Sequence, residues 1–154
     1  MIFVSHSIPI NEAGQPVLDR SAVWDGLLQK ANNALPFVPA MTHCEVTARH
    51  SDLSFDRDIE FRGQQMTERI VLEPHHRVVF TRLAGPVLGT IANEIEETAD
   101  GDLSLRFSFA LCVSGVVGGS DEERGYADNM TQDYLKAVAA TLAAIRRVAN
   151  GETS

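Results

Sequence analysis

The chain has 154 residues, and 13 Lys and Arg against 21 Asp and Glu give it a formal charge of −8; its apolar fraction is 44%. That length supports one core without a disulfide or metal staple, so residues 1–154 are read as a single domain. The acidity argues against nucleic acid and anionic membrane surfaces as partners, and the longest apolar stretch, Ala137 to Ile145, is too short to span a bilayer.

Residues 2–10 alternate, with Ile2, Val4, His6, Ile8 and Ile10 on one face, and read as a strand. Met1 to Ile10 has neither a basic start nor a long apolar run, so a cytoplasmic protein is expected rather than a secreted one. A turn over Asn11 to Pro16 follows. Asp19 then caps a helix over 20–32, whose stripe is Val23, Trp24, Leu27, Leu28 and Ala31. Leu35-Pro-Phe-Val-Pro39 leaves room for a short second helix, since Pro36 suits a first turn and Pro39 ends it.

From 43 to 113 the period changes to two. Six runs, 43–50, 56–62, 66–73, 77–84, 88–98 and 103–113, each end in a turn signal. Short turns between consecutive strands require antiparallel pairing. The last run puts Leu103, Leu105, Phe107, Phe109 and Leu111 on one face and Ser104, Arg106 and Ser108 on the other. Ser120-Asp-Glu-Glu123 is a capping box that opens a helix over about 121–149, with Gly151 as its stop. Its stripe is Tyr126, Met130, Tyr134, Val138, Leu142 and Ile145. Cys44 and Cys112 form no disulfide framework and are expected as buried, reduced thiols.

These elements describe an α+β fold: a seven-stranded curved antiparallel sheet around one long C-terminal helix, with two short helices between strands one and two. One helix cannot seal so wide a sheet, which predicts a roomy apolar cavity between them. The order is the helix-grip arrangement. Moreover, Val4-Ser-His-Ser-Ile-Pro-Ile-Asn11, Leu18-Asp-Arg-Ser-Ala-Val-Trp-Asp-Gly-Leu27, Leu35-Pro-Phe-Val-Pro39, Glu60-Phe-Arg-Gly63 and Glu68-Arg69 resemble the AtaL-like family. That family is a bacterial and fungal branch of the START/SRPBCC superfamily, which also holds the birch-pollen-type plant allergens. The resemblance covers nearly the whole chain. It implies the fold and a hydrophobic ligand cavity, but no reaction and no catalytic residue.

Polar side chains with inward parity are the informative ones. Glu68 alternates with Met66, Ile70 and Leu72; Arg82 alternates with Val78, Phe80 and Ala84. If the Pro74-His75 turn pairs Leu72 with Val78, Glu68 faces Arg82. Their reading is a buried ion pair or general base, against a structural cross-strand pair or a slipped register. As a buried pair, Arg82→Met would cost about 3–5 kcal/mol. His6 is a candidate acid or base, against a hydrogen-bonded core histidine. Asn93, between Ile91 and Ile95, is a candidate anchor opposite Phe107 and Phe109. Tyr126, Met130 and Tyr134 on the helix stripe, with Phe80, complete the candidate ligand wall.

His75-His76 sits at a hairpin tip without zinc spacing, so neither a metal site nor a cofactor is expected. Gly115 to Gly119 lacks the Lys and the context of a phosphate loop. The leading function is a carrier or sensor of a small hydrophobic or aromatic molecule, as a monomer or weak homodimer without membrane insertion. The alternative is a cyclase or aromatase acting on a polyketide-like intermediate, and behind it a chaperone-linked interaction domain.

Overall fold

The computed structural model describes residues 1–15 and 17–149, so Pro16 of the expected turn and the expected stop at Gly151 lie outside the described residues. The elements run β1 (Ile2–Pro9), α1 (Arg20–Asn32), β2 (Met41–Ser51), β3 (Ser54–Phe61), β4 (Gln64–Glu73), β5 (Arg77–Ala84), β6 (Val87–Glu97), β7 (Leu103–Val113) and α2 (Asp121–Ala149). The strands form one antiparallel sheet in the order β1-β7-β6-β5-β4-β3-β2. Thus β1 crosses to the far edge and pairs with β7, while β2 forms the other edge.

Both helices cover the apolar face, on which Phe55, Ile59, Ile70, Val78, Ile91, Leu105, Phe107 and Phe109 are buried. The opposite face is hydrogen-bonded among polar groups, as in Arg69 to Asp56 and Arg106 to Glu96 and Ser5. Asp19 caps α1 by accepting from the Ala22 amide at 2.8 Å. The expected second helix is absent: Ala34 to Val38 makes a single turn, in which the Phe37 and Val38 amides both donate to the Ala34 carbonyl at 2.9 Å. Pro39 supplies no amide to continue it.

The capping box also differs from expectation. Ser120 Oγ accepts from the Glu123 amide at 3.1 Å, but Glu123 reaches back to the Gly119 amide and the Met1 ammonium rather than to Ser120. The Ser120 amide is already bonded to the Val117 carbonyl.

Packing along α2 is uneven. Its buried residues are Ala137, Val138, Thr141, Leu142, Ala144 and Ile145, all in the C-terminal half. There the helix meets α1 at Gly26, where an added Cβ would lie 2.2 Å from Ile145 Cγ1. Arg146 fixes the same half by donating to the Ile10 carbonyl at 2.6 Å. In the N-terminal half, Tyr126 is 41% exposed although it lies on the apolar stripe. The helix stands away from the sheet there.

Both cysteines are free, but neither is buried: Cys112 is exposed on the outer face and Cys44 is half-buried. Cys112 falls on the wet parity of β7, between Leu111 and Val113. Four strands separate β7 from β2, and with them the two thiols. Among the described residues, no helix is long and apolar enough to cross a membrane.

Candidate functional site

Among the described residues four charged side chains are buried under the two helices: Lys30 at 7% exposure, Arg57 at 2%, Glu68 at 2% and Arg82 at 8%. Strand parity places three of them. Arg57 lies between Phe55 and Ile59 on the inward face of β3, and Glu68 and Arg82 lie on the inward faces of β4 and β5. Leu72 pairs with Val78 and Glu68 with Arg82, as the turn register predicts. Lys30 comes from the last turn of α1, one helical turn beyond Leu27.

Glu68 has two partners. Arg57 is the principal one, donating from Nε at 3.0 Å and from Nη2 at 2.9 Å to the same oxygen, Oε1. Arg82 Nε reaches the other oxygen, Oε2, at 3.4 Å. Arg57 also donates from Nη1 to the carbonyls of Lys30 and Ala31 at 2.9 Å, and its guanidinium lies over the Phe80 ring at 5.1 Å. Arg57 therefore closes the carbonyl end of α1 and welds that helix to the sheet. Four of its five N–H groups are engaged.

Lys30 and Arg82 differ. Lys30 Nζ donates to Asn93 Oδ1 at 2.9 Å, a neutral partner. Burial, reinforced by the Arg57 charge and only partly offset by Glu68, lowers the Lys30 ammonium to about 8. Arg82 donates from Nη2 to the Tyr134 hydroxyl at 3.1 Å. Burial drives the Tyr134 hydroxyl up to about 12, so it keeps its proton and can donate in turn. Burial alone would lower Arg82, but Tyr134 and Glu68 outweigh it and hold the guanidinium charged.

These groups line a small, partly open pocket of about 50 Å³, with Phe80, Ile59, Ile91, Val38 and Val138 as apolar walls. The pocket is much smaller than the expected roomy cavity, because Arg57, Lys30 and Phe80 fill the middle of the sheet. The larger space is a neighbouring cleft of about 760 Å³ under the N-terminal half of α2. Tyr126, Met130 and Asn129 form its helix side, and Met66, Val87, Leu111 and Val113 its sheet side. Phe61, Arg82, Asp133 and Tyr134 line both spaces and join them. Asp133, at the junction, is paired with Arg62.

The sequence-derived residues therefore divide. Glu68, Phe80, Arg82, Asn93 and Tyr134 meet in the pocket, and Tyr126 and Met130 line the cleft. Phe107 and Phe109 are buried in the packed core; Phe109 supports the Tyr134 ring at a centroid distance of 4.7 Å. His6 is exposed at the edge strand, stacked on Phe107 at 5.6 Å, and lines neither space. Its parity is inward, but no element covers β1 at that point. Arg57 and Lys30 are absent from the sequence-derived set. Both were signalled, Arg57 by alternation with Phe55 and Ile59, Lys30 by its spacing from Val23 and Leu27.

The family model described as acetylaranotin biosynthesis cluster protein L, AtaL, matches residues 4–151. No curated protein matches the chain by sequence. Among solved structures, the chain is similar to the ZhuI aromatase/cyclase from Streptomyces sp. R1128, with TM-score 0.71, 20% identity and 98% of each chain covered. It is also similar to a START superfamily protein from Mycobacterium smegmatis, with TM-score 0.63, 16% identity and coverage of 94% of this chain and 99% of that one. The di-domain aromatase/cyclase StfQ of the steffimycin biosynthetic pathway matches with TM-score 0.70 and 11% identity, over 97% of this chain and 52% of that one. At these identities the structural likeness establishes the fold alone.

Proposed function

Because the chain belongs to the AtaL family, within a fold that encloses space between sheet and helix, we propose that it binds a small hydrophobic or aromatic molecule in the cleft under α2. One observation carries this reading. On the apolar stripe Tyr126 is left 41% exposed, and it and the half-buried Met130 line a space of about 760 Å³. A helix keeps an apolar stripe out of contact at a cost, since burial contributes about 25 cal/mol per Å². A ligand body in the cleft supplies the missing contact. Cleft volumes of about 300–1,000 Å³ suit drug-sized molecules.

Native mass spectrometry of protein purified from its own host is the test. A co-purifying small molecule is expected, and Met130→Trp, which fills the cleft from α2, should abolish its retention. Retention unchanged in that variant would remove the cleft from consideration. A cyclase would use the same space. Recovered ligand unchanged in both mass and fragmentation on incubation with the protein marks a carrier, whereas an isomer of the same mass marks ring closure and loss of water marks the dehydration that follows it.

A further inference from the structure

The whole chain carries 13 Lys and Arg against 21 Asp and Glu, yet among the described residues the buried charged ones are Lys30, Arg57 and Arg82 against Glu68 alone. The interior reverses the sign of the surface. Glu68 and the carbonyl end of α1 account for Arg57, four of whose five N–H groups are bonded. Two cationic groups remain incompletely matched. Arg82 shares one oxygen of Glu68 at the long distance of 3.4 Å, and among the described residues nothing accepts from its Nη1. Lys30 Nζ has three hydrogens and, among the described residues, one acceptor, the uncharged Asn93. Buried cations without a counter-charge are costly unless something anionic joins them.

We propose that the smaller pocket is the seat of an anionic oxygen head group, a carboxylate on an apolar or aromatic body, held by Lys30, Arg82 and the Tyr134 hydroxyl. This inference rests on the cleft being the ligand site and names the class of ligand it takes. The dimensions agree with it. A water needs about 10–15 Å³ on this measure, so a pocket of about 50 Å³ holds a few non-hydrogen atoms, the size of a carboxylate and its first carbon. The ligand body then lies in the larger cleft, which the pocket joins at Arg82 and Tyr134. The donors complement a carboxylate: a guanidinium edge, an ammonium and a hydroxyl, aligned around an apolar wall. The charged and titratable groups facing Lys30 and this seat are Arg57 from β3, Glu68 from β4, Arg82 from β5 and Asp133 and Tyr134 from α2. Asp133 is paired with Arg62, which lines the cleft.

The test titrates the protein with aromatic carboxylates of one to three rings, 2-naphthoate among them, and with the matching neutral amides. The acids should bind about tenfold or more tighter than their amides, as charge-assisted bonds outweigh neutral ones. Lys30→Met and Arg82→Met, checked for a cooperative melt, should each bring that preference close to one. A second measurement needs no variant. Calorimetry of naphthoate binding near pH 8.5, in buffers of different ionisation enthalpy, should show proton uptake as the carboxylate restores the Lys30 charge, and the amide should show none. Equal affinity for acids and amides, or acid binding without proton uptake, overturns the anionic seat and leaves the cleft standing. Failure of every acid and amide to bind overturns the cleft reading and the seat with it.

Discussion

Among the described residues Glu68 is the one buried anion against three buried cations, and that makes it the most sensitive position in the pocket. Glu68→Gln leaves three cations facing a neutral group and should cost about 3–5 kcal/mol in urea melts. Arg57→Met should cost a similar amount, because it frees Glu68 and two helix-terminal carbonyls together. Arg82→Met should cost about 1 kcal/mol or less, because Glu68 keeps both bonds from Arg57 and the cationic excess falls. This lowers the cost expected from sequence, where Arg82 was the only partner in view. A loss of 3 kcal/mol or more in Arg82→Met, about as large as breaking a sole buried pair, would show that Arg57 does not carry Glu68.

Lys30 sets a pH dependence whose sign follows from burial. Its ammonium sits at about 8 in the folded chain against 10.5 when free, so the unfolded chain holds the proton more tightly. Folding therefore opposes the charge below about pH 8, and stability rises as pH climbs from about 8 to about 10.5. Lys30→Met should be the more stable protein at neutral pH, and its advantage should shrink by about 3 kcal/mol at the upper end of that window. Tyrosine ionisation is common to both proteins and cancels in the difference. The Glu68–Arg82 register was legible in the sequence because alternation and a turn signal together fix a pairing. Arg57 and Lys30 were equally regular in position, but a charge inside an apolar period reads as an exception until its partner is known. Those partners lie 11 and 63 residues away, as Glu68 and Asn93.

Among the elements, the two helices are held by a contact that only glycine permits. At Gly26 a methyl group would lie 2.2 Å from Ile145 Cγ1 and 3.3 Å from its Cβ, so rotating the isoleucine alone does not clear it. Gly26→Ala gains up to about 1 kcal/mol of helix propensity. Overpacking costs about 1–3 kcal/mol, and thermal melts should show a net loss that Ile145→Ala partly restores in the double variant. Gly89 is stricter. It pairs with Arg82 and Leu111 at a φ of 134°, and a Cβ there would lie 2.0 Å from the Ala110 carbonyl oxygen. Backbone cannot rotate aside, so Gly89→Ala should be the more damaging of the two. The strand and helix order was legible apart from the expected second short helix, because each run has one period and a turn residue at its end. The depth of packing was not. The α2 stripe repeats evenly from Tyr126 to Ile145, yet only its second half is buried. Periodicity names the face of a helix and says nothing about how closely the sheet approaches it.

Taken as a whole, the molecule holds a large cleft that narrows into a small chamber lined by cations, and that shape has a direction. A ligand lying along it sends one end inward and leaves the other at the surface. The protein is then a socket rather than a capsule. An aromatic acid labelled with a fluorophore at its distal end should remain open to iodide in solution, while one whose emitting ring adjoins the carboxylate should be shielded. Equal shielding of both would mean that the cleft closes over its guest. If the distal end does stay in water, it need not be a free end. A chain still joined to something larger can enter a socket head first, be held by its tip, and leave without ever being cut loose.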